Sequence, residues 1–168
     1  MSLSMYDASV PLFVHMLNHL SNTLDKAAAH AKSTKIDPNE LLNARLFPDM
    51  WSLAEQVRAA CNFPVRASGR LSGLPMPQFD SKDDSFAGLK ERIASVIKFV
   101  KTADRASIDG TEQKEIIFPT GDTQRVMSGQ DYLLKFALPN FYFHLTAAYA
   151  ILRHKGVPLV KEDYLGSI

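Results

Sequence analysis

Apolar residues recur at three- and four-residue steps along much of the chain, the period of an α-helix with one buried face. In the first such stretch Val10, Phe13, Leu17, Leu20, Leu24, Ala28 and Ala31 form one stripe, which predicts a helix over about residues 4–32. Pro11 suits that helix only in its first turn or at a kink, because proline has no amide hydrogen to give. Asp37-Pro38-Asn39-Glu40 is a helix start, with Asp37 as N-cap, Pro38 at the first helical position and Glu40 reaching back. It opens a short helix over about residues 37–45. The second long helix is expected over residues 50–71, with Trp51, Ala54, Val57, Cys61, Val65 and Leu71 on its apolar stripe and Pro64 kinking it. An extended linker follows over 73–77 and on through 80–84. A third long helix, over 85–102, carries Phe86, Leu89, Ile93, Val96, Ile97 and Val100 at helical spacing.

The period then changes. Glu115-Ile116-Ile117-Phe118 and Gln124-Arg125-Val126-Met127 flank Pro119-Thr120-Gly121-Asp122, the pattern of a small β-hairpin. Ser128-Gly129-Gln130-Asp131 is a capping sequence that opens a fourth long helix, which runs to about Lys155 and stops at Gly156. Pro139 should kink it. Between Tyr132 and Leu152 this helix is apolar on nearly every side, so it needs cover all round, from the rest of the chain or from another. The expected fold is all-α: a four-helix bundle in one domain, residues 1–168, with a short extra helix and a hairpin before the last helix.

Composition narrows the function. Nineteen basic residues balance eighteen acidic ones, a net charge of +1, which gives no electrostatic reason for a nucleic-acid or anionic-membrane partner. Cys61 is the one cysteine, so an internal disulfide and a cysteine zinc cage are excluded, and a reducing, cytoplasmic setting is expected. The N-terminal residues do not read as a signal peptide, and no apolar run approaches the ~20 residues that span a bilayer.

Five histidines are the first candidates for chemistry. His15 and His19 are four apart, but both point away from the apolar stripe of their helix and read as surface or interface residues, with Leu12 and Met16 beside them. His144 sits in the most apolar helix, where a polar side chain needs a partner; Asn140, one turn earlier, lies on the same face. Cys61 reads as a buried thiol. Arg45 and Glu55, at the start of the second long helix, fit either a solvated charged face or a contact to an anion or carboxylate.

These segments carry a family likeness. Met50-Trp51-Ser52-Leu53-Ala54-Glu55 resembles the helix-two opening of the DinB/YfiT-like superfamily, and Phe143-His144-Leu145 through Ile151-Leu152-Arg153 its fourth helix. The chain is more closely similar to a bacterial domain-of-unknown-function branch, including at Tyr6-Asp7-Ala8-Ser9-Val10-Pro11, Leu42-Asn43-Ala44-Arg45-Leu46 and Leu138-Pro139-Asn140-Phe141-Tyr142-Phe143-His144. The resemblance implies a four-helix bundle, often a homodimer. In metal-binding relatives three histidines hold zinc or nickel, and some members are thiol-dependent transferases. Carried over, the helix-two ligand falls on Ala59 and the first helix-four ligand on Asn140; only His144 matches.

The expectation is therefore a small-molecule binding pocket lined by Asn140, Tyr142, His144 and residues near Ala59, with Arg45 and Glu55 as further candidates and no complete metal site. His144 is the candidate catalytic group. A transferase-like enzyme with a rearranged zinc or nickel site, and a non-catalytic homodimer using Phe141, Tyr142, Phe143 and Tyr149 as its interface, are the alternatives.

Overall fold

Each long helix begins where a side chain can satisfy the free amides of its first turn. In the computed structural model, which describes residues 4–79 and 84–166, α1 spans Val10–Thr34 with Pro11 in its first turn, where proline loses no helical hydrogen bond. Asp37 caps the short α2, Pro38–Leu42, by accepting from the Asn39 amide at 2.9 Å. Helix α3, Leu53–Ser72, starts at a capping box: Ser52 Oγ accepts from the Glu55 amide, and Glu55 accepts from the Ser52 amide at 2.7 Å. This box sets the start at Leu53. Trp51 consequently falls outside the helix and off the core stripe expected for it, and its side chain is 51% exposed. Helix α3 continues through Pro64 to Gly73, which ends it with a φ of 82°.

Helix α4 is Phe86–Val100, capped by Ser85. The expected linker before it is extended over 73–79; its residues 80–83 lie outside the described part of the chain. Two short helices escape the sequence reading because five residues or fewer show no period: α5, Arg105–Ile108, and α8, Lys161–Leu165. Strands β1, Glu115–Thr120, and β2, Thr123–Ser128, pair antiparallel, with Gly121 at positive φ in the two-residue turn. Ile116 and Phe118 of β1 point into the core, whereas β2 is mostly exposed.

The last long helix is composite. A three-residue α6, Gly129–Asp131, runs into a π-helical segment, Tyr132–Ala137, and then α7, Leu138–His154. The widened turn directly precedes Pro139, whose ring would crowd the carbonyl four residues back in an ordinary helix. Gly129 at its start is forced: a Cβ there would meet the Thr111 carbonyl oxygen at 2.0 Å. Gly156 follows the helix with a φ of 86°.

The fold is mostly helical. Helix α3 packs on α7 along one side and on α4 along another, while α1 packs on α4 and meets α3 and α7. The core lies between them, with Phe13 of α1 edge-on to Phe141 of α7 at 5.1 Å. Phe141 is wholly buried inside its own chain, which removes it from any interface, whereas Phe143 is 56% exposed. The outward face of α1 is also not bare: α8 lies on it, with Lys26 paired to Asp163 at 2.6 Å and the His15 ring donating to the Leu165 carbonyl at 2.7 Å. Met16, expected on an open patch, is buried beneath this segment. No helix among the described residues is long and apolar enough to cross a membrane.

Neighbouring aromatics of α7 should therefore behave oppositely. Phe141→Ala should destabilise the fold by about 3–5 kcal/mol in urea denaturation, and Phe143→Ala by less than about 0.5 kcal/mol.

Candidate functional site

Residues three and four apart on a helix share a face. On α3, Ala59, Asn62, Phe63, Arg66 and Arg70 fall on one such face, and Asn140 and His144 of α7 stand across from it; together they line an open cleft of about 800 Å³. Met76 to Phe79 of the linker and Arg92 of α4 complete the wall. Gly69 helps here: a Cβ there would meet Met76 Cγ at 2.3 Å, so a larger residue would displace the Met76 side chain from α3. Arg92 is buried, with its guanidinium over the Phe79 ring at 5.2 Å.

His144 is, with Arg92, a buried polar group of the cleft wall. Its Nδ1–H donates to Gln56 Oε1 at 2.7 Å. The direction follows from Gln56, whose Nε2–H donates to the Trp51 carbonyl at 3.3 Å and so turns its oxygen to the imidazole. With Nδ1 protonated, Nε2 of the neutral ring carries the lone pair. The ring lies nearly parallel to Trp51, 12° and 5.4 Å between centroids, and to Phe63, 19° and 5.6 Å. Burial lowers the His144 pKa below the ordinary imidazole range, which keeps the ring neutral near pH 7.

The other sequence candidates fall in different places. Asn140 lines the cleft with His144 but is not its hydrogen-bond partner; its Nδ2–H donates to the Phe136 carbonyl at 2.7 Å. Tyr142 is half-buried against Phe141, away from the cleft-lining face, and burial, then the nearby Tyr164, raises its pKa. Glu55 stands at the rim, occupied by the capping box and by Arg45 Nη2 at 3.1 Å. The Ser52 amide, more than any other group, holds its carboxyl below the usual range. Arg45 also donates to the Met50 carbonyl and lines a neighbouring depression with Glu55, Arg58 and Asp84 rather than the cleft. Cys61 is wholly buried, away from the cleft lining. The His15 and His19 rings lie 4.6 Å apart between centroids, tilted at 57°, beside the end of α8.

Sequence reasoning missed Gln56, Trp51 and Phe63 as neighbours of His144, and it missed the arginines of the cleft. Gln56 left a signal, since it is a polar residue in the phase of Leu53, Val57 and Ala60. Arg66 and Arg70 left another in their four-residue spacing.

The ligand positions implied by the family likeness, Ala59, Asn140 and His144, do converge on the one cleft. They do not suit a divalent ion. Alanine offers no donor atom, the Asn140 amide nitrogen is committed to a carbonyl, and one imidazole nitrogen remains where three or four ligands are needed. Among the described residues no three His, Cys, Asp or Glu side chains are grouped to hold a metal.

The helical fold is shared with known proteins. The chain is similar to a DinB family member protein from Shewanella denitrificans, whose crystal structure superposes with a TM-score of 0.91 at 37% identity, covering 97% of this chain and 92% of that one. This makes it a DinB-like protein. Residues 5–165 match the family described as a domain of unknown function, DUF1993, and the chain belongs to that family. No curated protein matches it.

The His144 environment has a consequence for stability. Because its pKa is lowered in the folded state, the unfolded chain binds the extra proton first as pH falls below about 6.5. The group's contribution is whole above that value, declines as pH falls toward the folded pKa, and is constant below it. His144→Phe keeps a stacked ring and removes the titration. In urea denaturation between pH 7.5 and 4.5, the stability of the wild type relative to this variant should fall with pH, and a pH-independent difference would contradict the assignment.

Proposed function

We propose that the chain binds a small organic molecule in the cleft between α3 and α7, beside His144, without a three-histidine metal site. In this reading α1, α3, α4 and the last helix form a four-helix bundle whose α3–α7 seam is held open by the small side chain of Ala59. The observation that carries it is the His144 ring, fixed by Gln56 so that Nε2 remains an unused acceptor on the wall of an 800 Å³ cleft. That volume is in the range of small-molecule sites, which combine apolar and aromatic walls with a few placed polar groups. Trp51, Phe63 and Met76 supply the apolar surface; Asn62, Asn140 and His144 supply the polar groups.

Trp51 is the one tryptophan, so its fluorescence reports on this site alone. N-phenyl-1-naphthylamine, a neutral apolar dye that accepts energy from tryptophan, should quench Trp51 saturably at one dye per chain. Ala59→Phe, which fills the cleft, should weaken that binding at least tenfold while the helical circular dichroism is retained. Absence of saturable quenching in the wild type, or stoichiometric zinc or nickel bound at His144 in protein purified without an affinity tag, would contradict the proposal.

A further inference from the structure

We infer that Arg66 and Arg70 form an oxyanion subsite at one end of the cleft, so that the ligand is an amphipathic molecule bearing a carboxylate, sulfonate or phosphate group. This rests on the cleft being a ligand site and adds the chemical class of what it takes.

The two arginines are one turn apart on the cleft-facing side of α3. Arg70 Nη1–H donates to the Tyr132 hydroxyl at 2.7 Å, and its guanidinium lies over the Phe118 ring at 5.3 Å and the Tyr132 ring at 5.5 Å. These neighbours orient the fork but are neutral, so they leave its charge uncompensated. Arg66 is exposed, acts electrostatically on the same Tyr132 phenol, and has no hydrogen-bond or ion-pair partner among the described residues. Lys114 adds a third cation behind them, its ammonium donating to the Arg70 and Leu71 carbonyls at 2.9 and 2.8 Å.

Cations gathered around one phenol repel one another, and the simplest relief is an anion in the space they share. Planar guanidinium forks suit an oxyanion, which accepts two parallel N–H bonds from each. Glu55 is the one carboxylate among the described lining residues; it sits about 16 Å from Arg66 along the helix axis, at 1.5 Å per residue, and is already held by Ser52 and Arg45. Asp84 lines the neighbouring depression instead. The Arg66 level lies about 10 Å beyond Ala59 by the same rise. A ligand that packs beside His144, Trp51 and Phe63 therefore carries its anionic group about one helical turn beyond Phe63.

A pair of dyes separates the two claims. 8-Anilinonaphthalene-1-sulfonate and N-phenyl-1-naphthylamine share an aromatic body and differ by the sulfonate. Both are followed by energy transfer from Trp51. Arg66→Gln should weaken sulfonate-dye binding about tenfold, the worth of a charge-assisted contact, and leave the neutral dye within twofold. Arg66→Glu should weaken the sulfonate dye further, and salt between 50 and 500 mM should weaken only the sulfonate dye. Arg66 is exposed and has no hydrogen-bond or ion-pair partner among the described residues, so both variants should fold. Equal loss of both dyes, or sulfonate-dye binding unchanged in both variants, overturns the subsite while leaving the cleft reading standing. Failure of the neutral dye to bind the wild type overturns the cleft reading, and failure of the sulfonate dye alone overturns only the subsite.

Discussion

The hydrogen bond from His144 to Gln56 joins the two helices that make the cleft. It crosses the α3–α7 contact in a buried position, where leaving either partner unsatisfied costs about 1–3 kcal/mol. Gln56 in turn holds the Trp51 carbonyl, so one amide ties the last helix, α3 and the connection ahead of α3 together. The stacking of Trp51 on His144 depends on this tie, because Trp51 lies outside any helix. The capping box of Ser52 and Glu55 fixes the same corner from the other side: it sets where α3 begins and uses up the one carboxylate that faces the cleft among the described residues.

The comparison with metal-binding DinB-like proteins gains a physical meaning from this arrangement. The ligand positions that the family likeness implies meet in space, but Ala59 offers no donor atom there and Asn140 gives its amide to the backbone. What remains is a neutral imidazole with one nitrogen tethered and the other open. Further along the same face of α3 the character changes from aromatic to cationic, with Arg66 exposed and Arg70 backed by the Phe118 and Tyr132 rings rather than by a carboxylate among the described residues. A net charge of +1 conceals this, because acidic and basic residues balance over the chain and not over the cleft.

Much of the fold was legible in the chain because helical periodicity is a local signal. The stripe of α1, the caps at Asp37 and Ser128, the stop at Gly156 and the hairpin around Gly121 are all set by residues a few positions apart. Helices α5 and α8 were illegible because they are too short to repeat. The widened turn before Pro139 was readable as a disturbance but not as a π-helical one. At the site, His144 was legible as a polar group on an apolar helix, and Asn140 as its neighbour on the same face. Its partner was not, because Gln56 is 88 residues away and pairing across that distance is decided by packing. Tyr142 lies two residues from Asn140 and His144, yet helical phase turns it away, and Arg45 lines a neighbouring depression instead of the cleft.

The state of the His144 ring tests this account most directly. Long-range nitrogen–proton correlation spectra of uniformly ¹⁵N-labelled protein at pH 7.5, purified without an affinity tag and assigned with His144→Phe, distinguish the two imidazole nitrogens. The account predicts a protonated Nδ1 and an Nε2 with the shift of a bare lone pair. A protonated Nε2, or an Nε2 shift characteristic of metal coordination, would contradict it.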